Sequence, residues 1–473
     1  DLHKEYRRQR QMCIRDSGNV ELLSGEILLS AKLAYKTYGS LNTDKSNVII
    51  LPTFYTGTHN RNEGFFGTNR AINPEKHFII SVNLFGNGLS TSPSNAEIVQ
   101  KGSKFPTISL FDNIACQYKL LTEHLNISKI ALVAGWSMAG CQSYQWAAQY
   151  PDMVNAILPF CASAKTSEHN FVFLEGVKAA LCADPAWNNG DYTSPPVRGL
   201  KAFGRVYAGW AFSQSFFREQ QYKNLGYKNV EELLVDWEND HVKNWDANNL
   251  LSKLKTWQLN DISRGPTYKN NYIKALKSIK AKTILMPCNQ DLYFRTKDNE
   301  YEKKYIPRSS LRPINSSFGH CAANPGNDKK FEKELAALDP EKFIKETASL
   351  LSKLEPQIML TDGISKAYRD GCERMSSFNA ISQLNNESEI NRAALPQLFV
   401  TTGETWLTNF ELSEEVFGPS GLVVKAKDLN EMIEIAKKLV GQLTCTLHMD
   451  EADQNEAKRL LQIIERKAGR ILA

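Results

Sequence analysis

The chain has 473 residues, of which 42% are hydrophobic, 10% aromatic and 23% charged. This ordinary composition excludes a disordered, collagen-like or coiled-coil protein, and the length is sufficient for two or three domains. The 57 basic and 52 acidic residues leave a net charge of +5, which predicts no nucleic-acid partner and no membrane partner.

The cellular compartment is predicted from what the sequence lacks. It contains no run of 18 apolar residues, and no short apolar stretch follows a charged amino-terminal region. We therefore predict no transmembrane helix and no secretory signal. The nine cysteines are irregularly spaced and form no C-x-x-C pair, a pattern that favours free thiols in a reducing cytoplasm, without disulfides or a metal site.

Residues 1–17 stand apart, because they are dense in arginine and have no periodicity. They are typical of a disordered basic tail, with a nucleic-acid or targeting arm as one alternative. A third interpretation is that the segment is not native, since R-R-Q-R-Q-M-C-I-R-D-S resembles a peptide left by adapter sequence in translated assemblies. We therefore leave residues 1–17 out of the fold prediction.

Farther along, short apolar runs alternate with helical segments. Four runs have the length and composition of strands buried on both faces of a parallel sheet, at 48–51, 78–82, 130–134 and 283–287. Helical periodicity covers 108–125 and 141–150, where Pro151 stops the second helix. This alternation predicts an α/β fold whose core is divided between residues 18–160 and 266–340.

Residues 161–265 separate the two parts of that core. They are rich in tryptophan, tyrosine and phenylalanine and lack buried strand runs, whereas helical stretches cover 229–237 and 246–257. An all-helical insertion between two parts of a sheet predicts a cap or lid.

The segment G-W-S-M-A-G, residues 135–140, directly follows a predicted strand and precedes a predicted helix. A sharp strand-to-helix turn needs small residues two positions before and after its central serine, and Gly135 and Ala139 meet this need. Such a turn exposes Ser137 and aims a helix amino terminus at a developing oxyanion. We predict that Ser137 is a covalent nucleophile; a glycine–serine loop without chemistry is the alternative.

A serine nucleophile needs a base, and an acid that orients it. In the α/β-hydrolase fold the order along the chain is serine, acid, histidine. His320 follows the last predicted core strand, although a surface-loop histidine is the alternative. Asp291 follows the strand at 283–287 and would fix the imidazole tautomer, with Asp298 as its rival.

The oxyanion hole should consist of two backbone N–H groups. One is that of Met138, directly after the nucleophile. The second should come from the loop after an earlier strand, at Phe54 or Tyr55. His59 and Arg61 lie farther along that loop, and we interpret them as structural or solvated residues.

Residues 30–325 resemble the homoserine O-acetyltransferase family of α/β-hydrolase enzymes. The stretches that carry the resemblance are L-A-Y-K-T-Y-G-S-L-N at 33–42, F-G-N-G at 85–88, D-P-A-W with G-D-Y at 184–192, and W-D-A-N at 245–248. The resemblance implies a Ser137–Asp291–His320 triad. It also implies transfer of an acetyl group from acetyl-CoA, as co-substrate, to a hydroxyl-bearing small molecule. No resident cofactor is expected, and a homodimer is left open.

Departures from the family pattern concern substrate recognition. Trp136 stands beside the nucleophile where the family has glycine, and it would change the pocket wall. Lys178, which the resemblance makes a candidate substrate-binding residue, stands where the family commonly has an arginine able to bind a substrate carboxylate with two hydrogen bonds. Lysine cannot reproduce that geometry. Homoserine as acceptor is therefore in doubt, and an esterase that uses the same triad is the alternative.

Residues 341–473 resemble a different family. L-S-E-E-V-F-G-P at 412–419 is similar to a stretch of aldehyde dehydrogenases, in the 2-oxoglutarate semialdehyde dehydrogenase branch. The resemblance implies that Glu415 contacts the ribose of a nicotinamide cofactor. No glycine-rich strand-to-helix turn occurs in this region, so the NAD(P) site is incomplete. We predict a partial α/β piece without dehydrogenase activity, in a chimeric chain.

Overall fold

The computed structural model describes residues 12–68, 70–324, 340–378, 382–383, 392–447 and 454–472. The chain divides into two compact units, Asp1–Glu334 and Leu335–Ala473. Most of the amino-terminal tail, residues 1–11, lies outside the described residues.

The first unit contains a mixed sheet and a short hairpin. Its described strands are β1 (Cys13–Asp16), β2 (Val20–Glu21), β3 (Ile27–Leu28), β4 (Lys32–Tyr38), β5 (Val48–Pro52), β6 (Phe78–Val82), β7 (Leu132–Trp136), β8 (Ala156–Phe160), β9 (Lys282–Leu285) and β10 (Ser309–Leu311). The sheet has the order β1-β4-β6-β5-β7-β8-β9-β10, and β2 pairs with β3. The two pairings that involve β4 are antiparallel, and the others in the sheet are parallel.

The four apolar runs predicted as strands are confirmed as β5, β6, β7 and β9, with ends displaced by two residues or fewer. The burial of β5, the sequence V-I-I-L-P, is complete at all five positions, as expected for a strand inside a parallel sheet. The predicted α/β class is therefore confirmed for this unit.

The helices of the first unit connect the strands and form the segment between β8 and β9. They are α1 (His59–Asn62), α2 (Leu110–Lys119), α3 (Met138–Gln149), α4 (Glu168–Cys182), α5 (Val197–Ala211), α6 (Gln214–Arg218), α7 (Val230–Asn244), α8 (Ala247–Gln258), α9 (Tyr272–Lys277) and α10 (Thr296–Lys303). The helix predicted at 108–125 is α2 followed by a π-helical turn, Leu120–His124. The helix predicted at 141–150 is α3, which begins three residues earlier, directly after Ser137.

Residues 161–281 contribute no strand to the sheet, and α4 to α9 lie in this interval. Helix α5 packs against α4 and α7. Aromatic side chains form much of the buried contact, since the Phe173 ring lies 5.3 Å from that of Tyr207 and 6.2 Å from that of Trp257. The aromatic side chains of this stretch therefore form the interior of a helical layer.

One segment departs from the prediction. Residues 13–16, which were left out of the fold, form β1 and pair with β4 in the register Cys13↔Tyr35 to Asp16↔Lys32. A sheet edge presents unpaired backbone N–H and C=O groups, and an extended segment can pair with them largely independently of its side chains. Side-chain periodicity therefore gave no signal for this strand.

The second unit has smaller sheets. Its helices are α11 (Pro340–Leu351), α12 (Asp362–Ser376), α13 (Gly403–Thr408), α14 (Leu429–Lys438) and α15 (Gln454–Ile464). Its strands are β11 (Gln357–Ile358), β12 (Ser382–Gln383), β13 (Ala393–Ala394), β14 (Gln397–Thr402), β15 (Ser420–Lys425), β16 (Gln442–Thr446) and β17 (Ala468–Leu472). They form the groups β11-β13, β12-β14-β15 and β16-β17. Along the described parts of the chain, every helix is too short or too polar to traverse a bilayer.

Candidate active site

Loops that follow the parallel strands meet at the carboxyl-terminal ends of those strands, which we call the sheet edge from here on; it is distinct from the lateral edge at which β1 pairs. Because parallel strands end on the same side, the residues after β5, β7, β9 and β10 are brought together there. A cavity of about 260 Å³ lies at this edge, and its lining includes Phe54, Tyr55, Trp136, Ser137 and His320. Five residues singled out from the sequence thus share one cavity.

Ser137 occupies the turn between β7 and α3. Its backbone has φ 59° and ψ −128°, a conformation that non-glycine residues rarely adopt and that is strained. The Ser137 N–H donates to the Phe160 carbonyl oxygen at 3.0 Å, which ties the turn to β8. A Cβ on Gly135 would lie 2.5 Å from that of Ala139, so the turn requires glycine there, as the spacing predicted.

His320 and Asp291 form a buried side-chain hydrogen bond at the centre of the site. His320 Nδ1 lies 2.6 Å from Asp291 Oδ2, and both residues are buried. The other carboxylate oxygen, Asp291 Oδ1, accepts the backbone N–H groups of Tyr293 and Phe294, each at 3.0 Å. The rival acid, Asp298, lies in the first turn of α10, and the carboxylate bound to His320 is that of Asp291.

Trp136 supports the histidine loop. Its indole N–H donates to the backbone carbonyl of His320 at 3.1 Å. The Trp136 and His320 rings are stacked, with centroids 5.1 Å apart and planes inclined by 30°. The Phe54 ring also packs against Trp136, with the two ring centroids 4.7 Å apart. Trp136 therefore contacts both the histidine and the loop after β5, besides lining the cavity.

The backbone groups predicted for an oxyanion hole lie at this edge. Met138 is the first residue of α3, so its N–H has no acceptor within the helix. Phe54 and Tyr55 lie in the loop directly after β5 and line the cavity. The Tyr55 hydroxyl donates to the Leu250 carbonyl oxygen at 2.9 Å, and its own carbonyl oxygen accepts from Lys253.

Arg61 lines the cavity, although the sequence favoured a structural or solvated position for it. Its guanidinium donates to the Thr56 carbonyl at 3.0 Å and to Asn324 Oδ1 at 3.2 Å. His59 is buried beside Asn83, with its Nδ1 3.1 Å from the Asn83 amide nitrogen. Burial lowers the pKa of His59, and it is not among the described residues that line the cavity.

Two residues predicted to bind ligands lie elsewhere. Lys178 is on α4 with its side chain 46% exposed, 3.3 Å from the Glu175 carboxylate, and it is not among the described residues that line the cavity. Glu415 lies in the second unit, where it is exposed.

The cap supplies a cavity wall that sequence reasoning did not identify. The lining contributed by the cap includes Tyr207 of α5 and Asp236, Trp237, Asp240 and His241 of α7. His241 Nδ1 lies 2.7 Å from the Trp237 carbonyl, and burial lowers the pKa of this histidine. The aromatic composition of the cap was the available signal, but it does not tell which helix face meets the sheet edge.

Cys161, Asp291 and His320 have potential metal-ligand atoms within 4.8 Å of one another. A metal needs the cysteine as thiolate, whereas burial raises the pKa of the Cys161 thiol well above its ordinary value. Both Asp291 oxygens also accept hydrogen bonds within the protein. The contacts therefore fit a histidine–carboxylate pair beside a buried thiol, and we assign no metal to this group.

The buried carboxyl group of Glu302 stabilises the helix that follows the serine turn. It accepts hydrogen bonds from the Tyr144 hydroxyl, from the Ala164 N–H at 2.7 Å and from the Asn299 amide at 2.8 Å. Tyr144 belongs to α3 and Ala164 lies in the segment after β8, so the carboxyl group links the helix after Ser137 to that segment. Burial raises the pKa of Glu302 to about 7.

Comparison with known proteins agrees with this fold. Residues 47–322 match a protein family whose description is alpha/beta hydrolase fold. The chain belongs to this α/β-hydrolase family.

Its relatives include esterases and acetyltransferases. It is 37% identical over 307 residues to a probable esterase of Corynebacterium glutamicum, and 38% identical over 306 residues to ethyl acetate hydrolase of Pseudomonas veronii; each alignment covers 64% of this chain and 87% of the relative. Homoserine O-acetyltransferase of Trichormus variabilis is 29% identical over 316 residues, covering 64% and 86%. The structure of the acetyl esterase MekB has a TM-score of 0.67 and 35% identity, covering 71% of this chain and 97% of that one. The chain is thus an enzyme of hydrolase or acyltransferase type.

Proposed function

We propose that the first unit hydrolyses small uncharged carboxylic esters through an acyl-enzyme on Ser137. The observation that carries the proposal is the cavity that joins Ser137 to the Asp291-bound His320 and leaves Lys178 outside. A serine with a neighbouring, oriented imidazole is the arrangement that acyl transfer requires.

The proposed chemistry follows from the atoms at the sheet edge. Because His320 Nδ1 is committed to Asp291, Nε2 is the nitrogen left to accept the Ser137 Oγ proton as Oγ attacks the ester carbonyl carbon. The carbonyl oxygen of the ester becomes negatively charged as the C=O π bond breaks, and it is stabilised by the Met138 N–H and a second N–H at Phe54 or Tyr55. The alcohol leaves with the proton from His320. His320 then removes a proton from water as the water oxygen attacks the acyl carbonyl carbon. His320 returns that proton to Ser137 Oγ when the bond to the acyl group breaks, and the carboxylic acid is released.

The position of Lys178 and the similarity to esterases support hydrolysis over transfer to homoserine. Two carboxylates of the cap wall, Asp236 and Asp240, line the cavity together with one guanidinium, that of Arg61. The acidic pair repels a substrate with net negative charge but attracts the ammonium group of zwitterionic homoserine, so charge alone does not separate the two candidates. The predicted carboxylate-binding residue, Lys178, is paired with Glu175 instead. The esterase relatives, at 37 and 38% identity against 29%, give independent support.

Acetyl transfer from acetyl-CoA to an amino-acid hydroxyl is the second candidate. The observation in its favour is Arg61, because a guanidinium that lines the cavity could bind an acceptor carboxylate with two hydrogen bonds. In this version Arg61 takes the role that the sequence assigned to Lys178.

The two candidates are separated by giving the purified full chain each substrate set, with Ser137→Ala as control. For the esterase we expect hydrolysis of ethyl acetate that is lost in the variant, and slow thiol release from acetyl-CoA that homoserine does not accelerate. Thiol release that requires homoserine and Ser137, with little hydrolysis of ethyl acetate, would overturn the esterase proposal and establish the transferase.

For residues 341–473 we infer a partial aldehyde-dehydrogenase-like piece without dehydrogenase activity, joined to the hydrolase in a chimeric chain. The exposed position of Glu415 and the missing glycine-rich turn support this. We expect no NADH when the full chain is given NAD⁺ and an aldehyde, and steady NADH formation would contradict the inference. Recovery of the same continuous reading frame from independently amplified DNA would contradict the chimera.

A further inference from the structure

Lys253 is a lysine of α8 with no exposed surface. Its Nζ donates to the Tyr55 carbonyl oxygen. The same nitrogen lies 4.0 Å from the centroid of the Trp245 ring and 5.3 Å from that of the Tyr55 ring. Within the described part of the chain, no carboxylate forms an ion pair with it. Its polar contacts are therefore directed at one loop, the loop after β5.

Packing alone does not account for a lysine at this position. Removing an amine from water without a counter-charge is costly, and the same space can be filled by an apolar side chain of similar length. Burial lowers the pKa of Lys253 well below its ordinary value. The compensation that the structure offers is the hydrogen bond to Tyr55 and the faces of two aromatic rings.

The loop that Lys253 contacts lies beside the nucleophile. Tyr55 lines the cavity with Ser137, and α8 holds Tyr55 at two points. Lys253 binds its carbonyl oxygen, and the Leu250 carbonyl accepts its hydroxyl at 2.9 Å. The lysine stem is itself enclosed, because a Cβ on Gly86 would lie 3.1 Å from Lys253 Cγ. A cap helix and the loop after β5 are thus linked through a tightly packed side chain.

We propose that Lys253 is a positioning residue, which holds the Tyr55 peptide so that the N–H groups of its loop face the oxyanion formed at Ser137. The inference rests on the proposed ester hydrolysis, and Lys253 itself does not contact the substrate. Oxyanion donors act when they lie about 2.7–3.1 Å from the developing charge. A displacement of about 1 Å can cost on the order of 100-fold in rate. The effect should therefore appear in kcat more than in KM.

The test is Lys253→Met, which keeps an unbranched side chain one atom shorter than that of lysine and removes its donor. The matched control is Lys255→Met, on the same helix and exposed. We would measure kcat and KM for p-nitrophenyl acetate, the thermal midpoint, and the Kd of phenylboronic acid, whose serine adduct imitates the charged intermediate. In the Lys253 variant we expect kcat to fall about 10- to 100-fold with KM changed by less than about threefold. Boronate affinity should weaken in parallel, and the control should match the wild type.

A folded Lys253→Met protein with kcat within about twofold of the wild type would overturn the inference, as would a loss confined to KM. If this variant does not fold, Lys253→Gln replaces it, because its amide reaches one bond less far. Unchanged kcat in the glutamine variant would likewise overturn the inference. A wild-type protein that hydrolyses no ester and binds no boronate would instead overturn the proposed function, so the two failures are distinguishable.

Discussion

The two walls of the cavity are built in different ways. The sheet-edge wall carries Ser137 and His320 on loops that directly follow strands, so backbone geometry fixes their positions. The cap wall carries Tyr207, Asp240 and His241 on helices whose faces are set by packing against other helices. The difference indicates that the chemistry is encoded locally, whereas the shape and charge of the substrate space depend on contacts distant in sequence.

This comparison predicts different consequences of mutation. Changes at the sheet edge should lower the rate for every ester, because they alter the reacting groups or their support. Changes in the cap wall should alter the preference among esters. Changes in the cap that contact neither the cavity nor the loop after β5 should alter neither.

Apart from removal of Ser137 itself, the largest effect is expected at the acid. Asp291→Asn should lower kcat for p-nitrophenyl acetate about 10⁴-fold, because an amide favours the wrong tautomer of His320. Asp298→Asn is the matched control, since it makes the same change at the rival acid, and it should stay within about threefold of the wild type. A larger loss in the Asp298 variant would contradict the assignment of the acid.

The buried Glu302 carboxyl group should make the stability of the folded protein depend on pH. The pKa of Glu302 is raised from 4.5 to about 7, so the folded protein binds this proton more tightly than the unfolded chain. The resulting stabilisation is complete below about pH 4.5 and is lost as the pH rises through about 7. It amounts to about 3 kcal/mol.

Glu302→Gln removes this titration. Urea unfolding should be measured at several pH values, with the loss of hydrolysis as the signal for unfolding. The free energy of unfolding of the wild type relative to that of the variant should decline between pH 4.5 and 8. Parallel pH dependences of the two proteins would contradict the raised pKa.

A smaller loss of rate is expected beside the nucleophile. Trp136→Phe keeps an aromatic ring against His320 but removes the indole N–H that donates to the His320 carbonyl. The loss of one hydrogen bond of about 1 kcal/mol should lower kcat about fivefold. Trp210→Phe, which makes the same change in the cap outside the described cavity lining, serves as control. Equal effects of the two changes would show that the hydrogen bond from Trp136 to the His320 carbonyl makes no specific contribution to the rate.

The cap wall should control charge preference. Asp240→Asn should raise kcat/KM for an anionic ester, monoethyl succinate, about threefold relative to ethyl acetate, because one repulsive charge is removed from a partly exposed wall. The ratio of the two kcat/KM values is the measurement. A fall in both values by a common factor would show that Asp240 affects the rate and leaves the preference unchanged.

The smallest effect is expected at Lys178. Its side chain is paired with Glu175 outside the described cavity lining, so Lys178→Ala should keep kcat/KM for ethyl acetate and for monoethyl succinate within about twofold. A selective loss for the anionic ester would restore the carboxylate-binding role implied by the family resemblance.

The sequence was sufficient where structure is encoded over a few residues. Gly135, Ser137 and Ala139 define a turn through local steric limits, and apolar runs of strand length define the sheet. His320 and Asp291 required the chain order of the fold as well, because a histidine or an aspartate after a strand has no distinctive local pattern. The strand β1 was missed because edge pairing depends on backbone groups.

The cap was the least predictable part of the site. A lysine within a helix is usually solvated, so the buried position of Lys253 could not be recognised without knowing which face of α8 meets the loop after β5. The same limit applies to His241 on α7. Lys178 was assigned to the pocket by resemblance alone, and the structure places it on an exposed part of α4.

Whether Ser137 is the reacting group is tested most directly by labelling the full chain with a fluorophosphonate and mapping the modified peptide by mass spectrometry. We predict one adduct, at Ser137, with ester hydrolysis lost in proportion to labelling and both absent in Ser137→Ala. An adduct at another residue, or hydrolysis that persists in Ser137→Ala, would contradict the proposed acyl-enzyme.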